Sequence, residues 1–64
     1  MKNYSAIVDF IDIDTQDIYG TERYSVTAIN KREARLQALK YSDDSRYFDE
    51  RVSFVREVSL EEKP

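Results

Sequence analysis

"GTERYSVTAINKREARLQALK", Gly20 to Lys40, changes its periodicity halfway along, and that change sets the architecture of the whole chain. Up to Ile29 the residues alternate: Tyr24, Val26 and Ala28 point one way, and Arg23, Ser25 and Thr27 the other, as on a half-buried strand. At Asn30 the pattern becomes helical. Asn30 is an N-cap residue, Glu33 stands where a capping-box partner belongs, and Ile29 and Ala34 have the spacing of a hydrophobic staple. A helix is expected from Lys31, with Ala34, Ala38 and Tyr41 in one stripe, Leu39 on its flank, and small alanines that let it lie close to a sheet. Its end is expected near Ser42, where the side-chain oxygens of "SDDS" favour a turn.

Upstream, Asn3 to Ile13 is rich in β-branched and aromatic residues, and Ala6, Val8 and Phe10 alternate onto one face. The alternation slips at the adjacent apolar pair Phe10 and Ile11. A bulge near Phe10 would reconcile the two registers; alternatively, both faces of this strand are partly covered, as in a central strand. The single glycine, Gly20, is expected to supply positive φ at a hairpin turn, which starts the second strand at about Thr21. Downstream, "DDSRYFDE" reads as a loop, and "RVSFVREVSL" places Val52, Phe54, Val58 and Leu60 on one side of a third strand.

A hairpin, a crossover helix and a third strand join right-handedly when the third strand lies beside the first. The expected fold is α+β: a ββαβ domain over residues 1–60, with a three-stranded antiparallel sheet of order 2-1-3 and the helix on one face. Residues 61–64, "EEKP", are expected to fray. The open face should carry Ile7, Asp9, Arg23, Ser25, Thr27, Ser53, Val55 and Glu57.

Sixty-four residues bury one core and leave no room for an internal cleft. The absence of cysteine and histidine removes thiolate metal sites, disulfides and the commonest general base, so neither catalysis nor a cofactor or metal is expected. No apolar run approaches the roughly 18 to 20 residues that span a bilayer, and "MKNYSAIVDF" lacks signal-peptide organisation; the chain reads as soluble and cytoplasmic. Ten basic and thirteen acidic residues disfavour binding to nucleic-acid phosphates. The charge is uneven, however: a basic segment over residues 21–42 lies between two acidic ends.

In "FIDIDTQDIYGTE" the aspartates invite comparison with a calcium loop. With Asp12 in the first position, Asp17 stands where glycine is required and Arg23 where a bidentate glutamate is required, so the comparison fails. Two readings stand. Asp14 and Asp17 solvate a turn, with Asp12 facing outward at a strand end; or Asp12, Asp14, Asp17 and Tyr19 form an acidic protrusion that meets a basic partner. In the second loop, Asp43 and Asp44 precede the adjacent aromatics Tyr47 and Phe48, of which one should close the core and the other be free for an interface. Arg35, in the apolar arc of the helix, should lay its stem over the sheet.

Taken together, "YSAIVDF", "GTERYSVTAINKREARLQALK" and "RVSFVREV" cover nearly the whole chain and resemble, in outline, small phage-encoded anti-CRISPR proteins with a ββαβ domain. Such proteins inhibit RNA-guided surveillance complexes by occupying surfaces meant for DNA or for a nuclease subunit. The resemblance implies a non-catalytic inhibitor whose acidic ends imitate DNA phosphates, although the basic helix departs from mimicry over the whole surface. The partner expected is a protein or protein–RNA complex with a basic surface, met by Asp12, Asp14, Asp17, Tyr19, Asp43, Asp44, Tyr47 and Phe48. The alternative is a structural homodimer formed through the open sheet face or a sheet edge.

Overall fold

A computed structural model describes residues 1–64 as β1 (Lys2–Asp12), β2 (Ile18–Ala28), α1 (Lys31–Ser42) and β3 (Phe54–Glu62). The strands form one antiparallel sheet of order β2-β1-β3, with α1 across one face. This is the ββαβ arrangement that the periodicities imply. As the central strand, β1 buries Tyr4, Ala6 and Val8 beneath the helix and Phe10 against Tyr47 of the loop that follows it. Ala28, Ala34 and Ala38 are also buried, so helix and sheet approach closely where side chains are small.

The helix starts as its cap requires: the Glu33 amide donates to Asn30 Oδ1 at 2.9 Å. Ile29 remains 64% exposed while Ala34 is fully buried. At the other end, Ser42 is buried and its hydroxyl donates to the Leu39 carbonyl at 2.8 Å.

Two expectations about the hairpin are corrected. Gly20 is not the turn residue: the turn occupies residues 13–17, and Gln16 takes the positive φ, at 63°. Gly20 lies inside β2, which begins at Ile18 rather than Thr21. The bulge expected near Phe10 is present: Phe10 pairs with Gly20 and Ile11 with Ile18, which leaves Tyr19 of β2 as the extra residue. Glycine is required at position 20 by packing, because a Cβ there would stand 2.3 Å from Cγ of the Tyr47 ring.

The tail differs too. Glu61 and Glu62 pair with Ser5 and Tyr4 as the end of β3, and the Lys63 amide donates to the Asn3 carbonyl at 2.8 Å. At the start of β3, Val52 and Ser53 lie outside the strand. Finally, Arg35 is exposed, and the arginine that crosses between helix and sheet is Arg56. From β3 its Nη1 donates to the Leu39 carbonyl at 3.0 Å, Ser42 Oγ at 2.7 Å and Asp43 Oδ1 at 2.6 Å. A cation at the C-terminus of α1 satisfies orphan acceptors and opposes the negative end of the helix dipole. The guanidinium also lies over the Phe48 ring, 5.2 Å from its centroid. No helix is long and apolar enough to cross a membrane.

Candidate interaction surface

Because α1 starts beside the end of β2 and runs back along the sheet, the loop after it meets the β1–β2 turn at one end of a molecule 37 Å long. Two contacts tie them together: the Ile13 amide donates to the Ser53 carbonyl at 3.1 Å, and the Tyr19 hydroxyl donates to the Tyr47 carbonyl at 3.0 Å. All eight residues singled out in the sequence therefore sit on the same end. Beneath them lies an aromatic cluster in which Phe10 is 6.2 Å from Tyr19, 5.9 Å from Tyr47 and 5.6 Å from Phe54, and Phe48 meets Phe54 edge-on at 5.3 Å.

The eight residues divide by what they touch. Both Tyr47 and Phe48 are half-buried in the cluster, so neither is the free aromatic that the loop was expected to offer. Tyr19 packs against Phe10 at a tilt and meets Tyr47 edge-on; burial first, then the charges of Asp12 and Asp49, raise its pKa above the ordinary tyrosine value. Asp12 builds the turn, its Oδ1 accepting from the Asp14 amide at 2.8 Å and the Thr15 amide at 3.3 Å. Asp43 holds Arg56. Asp14, Asp17 and Asp44 are exposed and in no ion pair.

One contact in the loop was not legible in the sequence. The Asp49 carboxylate accepts from the amide, Nε and Nη2 of Arg51 at 2.9, 3.1 and 3.0 Å. Side-chain hydrogen bonding to Arg51, with the amide behind it, holds the Asp49 pKa below the usual carboxylate range.

The fold thereby separates charge. Residues 9–20 and 41–57, which form the turn end, hold nine carboxylates (Asp9, Asp12, Asp14, Asp17, Asp43, Asp44, Asp49, Glu50 and Glu57) against Arg46, Arg51 and Arg56, a net of −6. The remainder holds seven cations (Lys2, Arg23, Lys31, Arg32, Arg35, Lys40 and Lys63) against Glu22, Glu33, Glu61 and Glu62, a net of +3. Two of the three arginines at the acidic end are already held by Asp43 and Asp49.

The open sheet face meets the acidic end from the side. Residues directly opposite across antiparallel strands share a face, so its rows follow from the register. Ile18, Ile11 and Val55 form the row nearest the turn, then Thr21, Asp9 and Glu57, then Arg23, Ile7 and Ser59. Of the residues expected on this face only Ser53, before β3, falls outside the strands. Ile11 and Ile18 join it; the slip after Phe10 was the signal that could have found them. A shallow groove of about 510 Å³ opens here, lined by Ile11, Asp12, Ile13, Gln16, Val55 and Glu57. No group of three or more acidic side chains converges to hold a metal ion. No family model matches the chain, and neither a curated protein nor a solved structure does.

Proposed function

We propose that this chain is a small, non-catalytic binding module of the cytoplasm that inhibits or modulates a larger protein or protein–RNA complex by occluding a basic surface. Occlusion of this kind is how the anti-CRISPR proteins it resembles act. The observation that carries the reading is the gathering of the turn and the second loop onto one end with a net charge of −6. Exposed carboxylates such as Asp14, Asp17 and Asp44 contribute little to folding, whereas a concentrated field of one sign speeds and orients encounter with a basic surface. Direct binding to nucleic acid is disfavoured by the net charge of −3, thirteen acidic residues against ten basic.

The test immobilises the protein, captures partners from a host lysate at low and high salt, and repeats the capture with an Asp14→Lys/Asp17→Lys variant. The expected result is a salt-sensitive complex, weakened about tenfold or more by the reversal, with the melting temperature of the variant nearly unchanged. Capture indifferent to both salt and reversal contradicts the proposal, as does parallel loss of binding and fold.

A further inference from the structure

We propose that the open sheet face seats an amphipathic helix of the partner, one with an aliphatic stripe flanked by lysine or arginine. This rests on the binding-module reading and assigns the chemistry of what is bound. Four branched aliphatic side chains gather at the acidic end of the face: Ile11 half-covered, Ile13 and Val55 each 49% exposed, and Ile18 57% exposed. The adjoining row sets Asp9 directly opposite Glu57, and no cation of the chain forms an ion pair with either. Like charges in register across strands weaken the pairing. A cation brought in from outside relieves that repulsion while its helix covers the aliphatic row.

Size agrees with this occupant. Three strands about 4.8 Å apart present a face matched by a helix roughly 10 Å across, giving the sheet a helix on each side. A second copy of the chain fits poorly. Two-fold stacking over the aliphatic row has two directions: one sets the Asp9–Glu57 pair against its own copy, the other against Asp12, Asp14 and Asp17 of the turn. Either way carboxylates are desolvated against carboxylates.

The test uses methyl-labelled protein and two synthetic leucine–lysine peptides of about 18 residues, one with the leucines in a helical stripe and the other its scrambled isomer. With the striped peptide, the Ile11, Ile18 and Val55 methyls are expected to shift and saturate while Val8 and Val26, buried beneath α1, stay still. Glu57→Lys sets opposite charges across Asp9 and so keeps the fold, yet should weaken the peptide about tenfold. Equal binding of the scrambled peptide overturns the inference, as do shifts on dilution of the protein alone, which signal a second copy. Response confined to the amides of Asp14, Asp17 and Asp44 overturns it while leaving the acidic-end reading intact. Silence toward both peptides at low salt overturns both.

Discussion

Replacing Gly20 with alanine separates two reasons for a glycine. Its φ is not positive, so alanine meets no backbone penalty, and a residue with a side chain should gain about 0.5–1 kcal/mol over glycine in a strand. Against this, the new Cβ lands 2.3, 2.4 and 2.7 Å from three atoms of the Tyr47 ring, which must retreat by about 1 Å or more to recover ordinary carbon contact. Overpacking of this kind costs about 1–3 kcal/mol. Retreat also loosens the ring pairs with Phe10 and Tyr19, each worth about 0.5–1.5 kcal/mol. The net expectation is destabilisation by about 2 kcal/mol, a fall of roughly 10 °C in melting temperature for a domain of this size. Urea unfolding followed by circular dichroism measures it, with an unchanged slope showing that the unfolded state is not altered. The decisive comparison is the same substitution in a Tyr47→Ala background, where it should be neutral or stabilising by about 0.5 kcal/mol. An equal loss in both backgrounds would refute the ring-packing argument and return Gly20 to a backbone role.

Arg56→Met keeps the apolar stem but deserts the Leu39 carbonyl, Ser42 Oγ and Asp43, and should cost about 1.5–3 kcal/mol in the same urea assay; Arg35→Met, at an exposed site, should change the midpoint little. For Tyr19 the folded-state pKa lies above the ordinary value of 10.0, so its contribution to stability is complete below that pH and is lost as pH rises through the folded value. Alkaline unfolding curves of Tyr19→Phe should therefore decline less steeply above pH 10, with a residual slope from Tyr24, whose pKa is raised first by burial and then by Glu22 and Asp44.

The sequence discloses the helix and the strand order because both are written in local spacing. Asn30 caps the helix by accepting from the Glu33 amide within one turn, and the alternation of Tyr24, Val26 and Ala28 needs no distant partner. Gly20 misleads for the opposite reason: nothing near it reveals that the ring of Tyr47, on a loop beyond the helix, covers it. Arg56 and Arg35 are alike as residue types, and only the tertiary meeting of β3 with the end of α1 selects between them. At the candidate surface the carboxylates are legible by composition, but their division into turn-building Asp12, arginine-holding Asp43 and unpaired Asp14, Asp17 and Asp44 depends on where amides and guanidinium groups arrive. Similarly, two adjacent apolar residues, Phe10 and Ile11, announce a two-sided strand without saying that one side ends in an open aliphatic row.

Stability and the proposed recognition surface are laid over one another at the turn end. Most of the core beneath α1 is alanine and valine, whereas Phe10, Tyr19, Tyr47, Phe48 and Phe54 are concentrated under the two acidic loops. Aromatic area anchors those loops from below, and the Tyr19–Tyr47 and Ile13–Ser53 hydrogen bonds hold them to each other. A surface fixed in this way need not order its backbone when a partner arrives, which removes part of the entropic cost of association. The same arrangement explains why perturbations should separate by depth. Reversing Asp14 or Asp17 changes only the field presented to a partner, while displacing the Tyr47 ring loosens both loops at once. Binding should accordingly be more sensitive to Gly20→Ala than its exposure suggests, since that buried substitution disturbs the platform on which every exposed carboxylate of the end is mounted.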